Sequence, residues 1–208
     1  MSTVSELPGS PVAIAALDAA TTSEGIAVAN HSIRSYLFAE LLAEHEGATA
    51  DSDYDRELLF AACVMHDLGT GDRAPGEQRF EVEGADLAAE ILTAHGIAAR
   101  DVDRVWEAIA IHTSPGIAER RGLLAYLTRG GIGIDFGRRA EIVMTHERAI
   151  HEAYPRFDMA RSLTDAIVLH AARSAAAAPR YSMPGELLRE RAEHGVTTLE
   201  IAPKWWQG

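Results

Sequence analysis

Apolar side chains recur along this chain at steps of three and four residues, and the strict alternation of a half-buried strand is hard to find. Alanine, leucine, isoleucine and glutamate dominate these stretches. The pattern predicts an all-α fold with seven helices, over about 24–46, 54–67, 82–95, 101–112, 138–152, 158–176 and 185–194. From Thr113 to Gly137 glycines and Pro115 interrupt the pattern, so this segment reads as a loop region with one short helix around 119–127. Ser174 to Pro179 is a short alanine-rich stretch, and neither a repeat nor a linker is visible. The expectation is a single domain over 1–208, with its motifs in a core of about 24–150 and a helical C-terminal extension over 151–208. Trp205 and Trp206 near the end are expected to dock the tail.

Helical phase places several polar residues inward. Val28, His31, Ser35, Phe38 and Leu42 lie on one stripe of the first predicted helix, so His31 shares a face with apolar side chains. In the second, Leu59, Cys63 and His66 align, and the helix stops at Asp67-Leu68-Gly69-Thr70-Gly71, where the glycines suit a helix end. Neighbours on a regular helix point about 100° apart, so His66 and Asp67 converge on one point only if the backbone leaves the helix there. In the fourth, Val102, Val105, Ile109 and His112 share a stripe, which turns a third histidine toward the core.

Composition narrows the class. With 47% hydrophobic and 24% charged residues the chain is ordinary globular material, and 208 residues suffice for one real core. A net charge of −12 argues against nucleic acid or an anionic membrane surface as partner and for a small-molecule substrate. Homo-oligomer formation stays open. The first ten residues lack the features of a secretory signal and no stretch approaches the ~20 apolar residues of a membrane span, so a cytoplasmic, soluble protein is expected. Cys63 is the only cysteine, so a disulfide within the chain and a thiolate cage are both excluded.

Any metal must therefore be held by imidazoles and carboxylates. The adjacent pair His66-Asp67, with a histidine upstream and an aspartate downstream, offers two nitrogens and two oxygens to one divalent cation, a set that suits zinc first, and also iron or manganese. A lone His-Asp dipeptide arises often by chance. Here His31-Ser32-Ile33-Arg34-Ser35-Tyr36, Val64-Met65-His66-Asp67-Leu68-Gly69-Thr70, Arg79-Phe80-Glu81-Val82-Glu83-Gly84-Ala85-Asp86 and Trp106-Glu107-Ala108-Ile109-Ala110-Ile111-His112-Thr113 follow in order, with Asp135 after them.

This ordered set resembles the HD superfamily of metal-dependent hydrolases, over roughly residues 24 to 150, and within it the branch similar to cyanamide hydratase. The resemblance implies an all-helical bundle around one ion held by His31, His66, Asp67 and Asp135. For Asp135 the assignment rests on the family pattern alone, since a loop residue has no helical phase. His112 would stand beside the activated water as a proton shuttle and, with Asp67, act in catalysis; Thr70, Phe80, Glu81 and Thr113 would face the substrate. A divalent ion lowers the pKa of water toward ~7 and supplies hydroxide near neutral pH, and a nitrile or cyanamide needs attack at carbon and a proton at nitrogen.

Three other readings compete with hydration. A phosphohydrolase acting on a nucleotide or phosphate ester could use Arg34, Arg73 or Arg79, but Thr70 stands where many such relatives carry lysine. A diiron oxygenase would recruit His95 and His112 to a second ion with Asp67 bridging, although His95 before Gly96 also suits an ordinary helix end. A non-catalytic helical module would have no need of the complete ligand set. His146 and His151, about 140° apart around a helix, are expected on the surface.

Overall fold

The structure, a computed structural model, describes residues 5–201, so Trp205 and Trp206 lie outside the described residues. Among them, regular structure consists of α-helices and short 3₁₀ turns, with no strand. None of the described helices is long and apolar enough to cross a membrane.

The chain begins with a helix that precedes the first expected one. α1 (Pro11–Ser23) starts at Ser10, whose Oγ accepts the N–H of Ala13 while Pro11, which has no N–H to satisfy, takes the first helical position. α2 (Ile26–His45) follows and is buried at every residue from Ala27 to Ala39. A helix covered on all sides belongs to the core. α3 (Arg56–Val64) is capped by Asp55, whose carboxylate accepts from the N–H groups of Glu57 and Leu58. Then come α4 (Phe80–Ala94), α5 (Ala99–Ala110), α6 (Leu123–Asp135), α7 (Glu147–Ala153), α8 (Met159–Ala171), α9 (Met183–His194) and the single turn α10 (Thr198–Ile201).

The sequence expectation fails most clearly at α6. Residues 123–135 form a full helix in the segment read as loop, and Asp135 is its last residue. The glycines responsible for that reading serve packing. A Cβ on Gly131 would lie 2.0 Å from the Ser35 carbonyl oxygen, and one on Gly130 would lie 2.2 Å from the Leu42 side chain. Glycine here lets α6 approach the backbone of α2, and that contact outweighs the ~1 kcal/mol per residue by which glycine disfavours a helix. The expected helix over 138–152 is correspondingly shorter: a 3₁₀ turn covers Ala140–Ile142 and only Glu147–Ala153 is α-helical.

α2 runs through the middle, with α1, α3, α6 and α8 packed around it, and α4 and α5 pair beside α3. A second, smaller apolar cluster joins Ala27 and Val28 of α2 and Phe80 of α4 to Met159, Leu163 and Ile167 of α8 and Leu187 of α9. The functional side chains lie between the two clusters.

Candidate metal centre

His31, His66 and Asp67 bring one donor atom each to within 4.8 Å of one another, and all three side chains are buried. His31 comes from the buried face of α2, as its phase predicts. The other two come from a break in the backbone. α3 ends at Val64, and Met65 and Asp67 take φ/ψ of −103°/5° and −102°/5°, in the bridge region common at active sites. This turn out of the helix lets adjacent residues face one point. Glycine fixes its position: a Cβ on Gly69 would lie 1.8 Å from the Phe80 carbonyl oxygen, so the turn packs directly on the start of α4.

Hydrogen bonds choose the tautomer of each histidine. The Nδ1–H of His66 donates to the Cys63 carbonyl at 2.7 Å, and the Nδ1–H of His112, just past the end of α5, donates to the Ile109 carbonyl at 2.7 Å. His31 donates from Nδ1 to Asp135 Oδ2 at 2.5 Å. In all three rings the proton sits on Nδ1 and the lone pair on Nε2. Those lone pairs face Asp67, at 3.1 Å from His66, 3.9 Å from His31 and 4.0 Å from His112.

Nε2 of His31 and Oδ2 of Asp67 are buried with no hydrogen-bond partner among the described residues. Buried acceptors turned toward one another cost free energy unless a donor or a cation lies between them. The arrangement therefore fits a divalent ion, and imidazole with carboxylate is an appropriate donor set. The electrostatics agree in direction. Burial would raise the Asp67 carboxyl, but the imidazoles of His66, His31 and His112 outweigh it and hold it down at about 2. Burial pushes His31 below its usual value, and burial with the neighbouring His66 pushes His112 down to about 4. Burial also disfavours charge on His66, yet Asp67 beside it wins and raises its pKa. A proton or a metal cation answers the same negative field there.

Asp135, expected as a fourth ligand, stands at the other side of the His31 ring. Besides His31 Nδ1 it accepts Nε and Nη2 of the fully buried Arg34, both at 2.8 Å, and Nη1 of Arg156 at 2.8 Å. Burial works against this carboxylate, but Arg34 and the flanking histidines hold its pKa well below the usual range. His151, expected on the surface, is turned inward: its Nε2 lies 3.9 Å from Asp135 Oδ1 and its ring meets Phe38 edge to face. Its step from His146 has no bearing on this, because the contact is made across elements.

A cavity of about 320 Å³ opens onto His31, His66, Asp67 and His112. Of the residues expected to face substrate, Phe80 and Thr113 line it. Thr70 instead donates its hydroxyl to the Asp67 carbonyl, and buried Glu81 accepts from the Thr113 hydroxyl and from Arg79. His95 is exposed at the end of α4, with its Nδ1–H on the Ile91 carbonyl. That is the helix-end role the sequence allowed.

Sequence reasoning missed Arg156 and Glu24. Glu24, at the end of α1, accepts from the Ser32 hydroxyl at 3.4 Å, and burial together with the charge of Asp67 pushes its carboxyl well above the usual range. Neither carries a local pattern, since each reaches the centre from a loop or helix end.

A helical protein with a buried His/His-Asp donor cluster at its centre, open to a cavity, is the class these features define. The chain belongs to the HD domain family, whose model matches residues 28–172, from the start of α2 to the end of α8. HD-domain proteins are typically metal-dependent hydrolases, and the chain is an enzyme of that general kind. No curated protein matches the chain.

Proposed function

We propose that the chain adds water to a small uncharged molecule, in hydration or hydrolysis resembling that of cyanamide hydratase, at a single divalent metal held by His31, His66 and Asp67, zinc before iron or manganese. The observation that carries this reading is the pairing of the donor cluster with a cavity whose nearby cations, Arg138 excepted, are already engaged. Arg34 is bound to Asp135, Arg79 to Glu81, and Arg129 to Glu119 and the His112 carbonyl. Thr70 offers no charge, and its hydroxyl is spent on the backbone. A phosphate dianion would find few donors here.

Bound there, the ion would lower the pKa of water toward ~7 and so furnish a nucleophile at neutral pH. His112 carries the proton. Its Nδ1–H is fixed on Ile109, and burial keeps the ring neutral, so Nε2 is free to accept a proton from the attacking water and return it to the leaving or developing nitrogen. For a nitrile the balance is one water added: its oxygen bonds to carbon, one carbon–nitrogen π bond breaks, the nitrogen gains a proton, and the amide follows by a second proton shift. No oxidant or reductant is needed.

A phosphohydrolase is the second reading. Arg138 favours it, because this guanidinium lines the cavity and engages no side chain or backbone carbonyl among the described residues. The two are separated by metal analysis on protein purified without chelator, followed by a screen of nitriles, cyanamide and phosphate esters with wild type and His66→Ala. Turnover of nitriles or cyanamide that His66→Ala abolishes is expected. Phosphate-ester cleavage abolished by the same change, without nitrile hydration, would reverse the order.

A further inference from the structure

We infer that the substrate carries an apolar body, lodged against a wall that the chain completes with two side chains from the segment after the matched family region; this deepens the proposed function and rests on the cavity being its substrate site. Above the donor cluster, the cavity is bounded by Phe80, Phe136, Leu163, Ile167, Met183 and Leu199. The Phe136 ring stands edge to face against His31, with centroids 5.2 Å apart, so apolar surface begins at the metal centre itself. Met183 on α9 and Leu199 on α10 lie beyond residue 172, outside the part of the chain that defines the family.

This wall is held in place. Arg191 of α9 binds Asp165 of α8 at 2.7 Å and Glu200 of α10 at 2.9 Å, and Thr198 donates its N–H to Glu190 at 2.7 Å. The three helices thus present Leu163, Ile167, Met183 and Leu199 as one face. Met183 and Leu199 remain only partly buried, although both pack on the smaller apolar cluster. Both line the cavity, so a ligand seated there would cover more of their surface.

Size points the same way. A cavity of about 320 Å³ holds roughly ten water-sized groups at about 30 Å³ each. Cyanamide, with three non-hydrogen atoms, would leave most of that space to water against hydrocarbon. A molecule with a compact hydrolysable head and an aliphatic or aromatic body of several carbons fills it, with the head at His31, His66 and Asp67 and the body toward Met183 and Leu199.

The test reads binding and needs no turnover. Metal-loaded full-length protein is titrated calorimetrically with straight-chain amides from acetamide to hexanamide, and in a parallel arm with the alkyl monophosphates of the same chain lengths. Affinity should rise about three- to fourfold per methylene until the cavity is full. In Met183→Ser and Leu199→Ser the gain per methylene should flatten while the shortest member binds as in wild type, with thermal melts confirming that both variants fold. A chain-length gain in the phosphate arm alone keeps the apolar wall and removes the hydration reading. No gain with chain length in either arm of the wild-type protein overturns the inference, whatever the variants do.

Discussion

The hydrogen bond of 2.5 Å from His31 Nδ1 to Asp135 Oδ2 decides which nitrogen of His31 is turned toward His66 and Asp67. A carboxylate behind a ligating imidazole fixes its tautomer and raises its basicity. The same carboxylate neutralises Arg34, which is fully buried, and meets Arg156.

Asp135→Asn should therefore have two separable effects. Stability should fall by about 3–5 kcal/mol in urea unfolding, because the Arg34 charge is left buried without its counter-charge. Metal affinity should fall about 10- to 100-fold, with one ion still bound per chain at saturation. A folded variant that binds no metal at any concentration would make Asp135 a direct ligand.

His66→Ala and Asp67→Ala should each lose the metal and the activity while circular dichroism stays close to wild type. The apolar clusters around α2 and α8 contribute most of the packing and neither depends on these two side chains. Full metal occupancy in both variants would remove them from the ion. Global unfolding on loss of metal would instead make the ion part of the fold.

His112→Ala should keep the metal and lose about 10²- to 10⁴-fold in rate, roughly 3–5 kcal/mol of barrier, the usual worth of a positioned acid or base. His112 Nε2 lies 4.0 Å from Asp67 and is not one of the three donors that cluster most closely. Metal lost in proportion to activity would make it a ligand. An unchanged rate would leave it a packing residue.

The chelator-stripped protein should weaken on acidification partly through His112. Burial and His66 lower its folded pKa to about 4, against 6.5 for an ordinary histidine, so below pH 6.5 the unfolded chain binds the proton more readily. The stability it contributes is complete above about pH 6.5 and is lost as the pH falls toward 4, by about 2 kcal/mol between pH 7 and pH 5. His112→Phe should remove that share of the decline in urea unfolding at the two pH values. An identical decline in wild type and variant would show that His112 titrates normally in the folded chain.

The helical class and the inward stripe of His31 were legible because periodicity is local: which face of a helix is apolar follows from residues three and four apart. The ordered motifs likewise located His66 and Asp67 at a helix end, since the glycines after them are chain-local signals. Only the tertiary structure decided the rest. Gly130 and Gly131 look like loop residues until α2 lies against them, and their use in a helix follows from how closely two backbones approach. Asp135 carries no sign of whether it faces a metal or a ring nitrogen, which depends on the separate arrival of Arg34, Arg156 and His151 around it. The cavity is assembled from α2, α4, α6, α8, α9 and α10, residues up to 168 positions apart from His31 to Leu199. No local pattern specifies which distant side chains meet, because that is set by the packing of whole helices against one another.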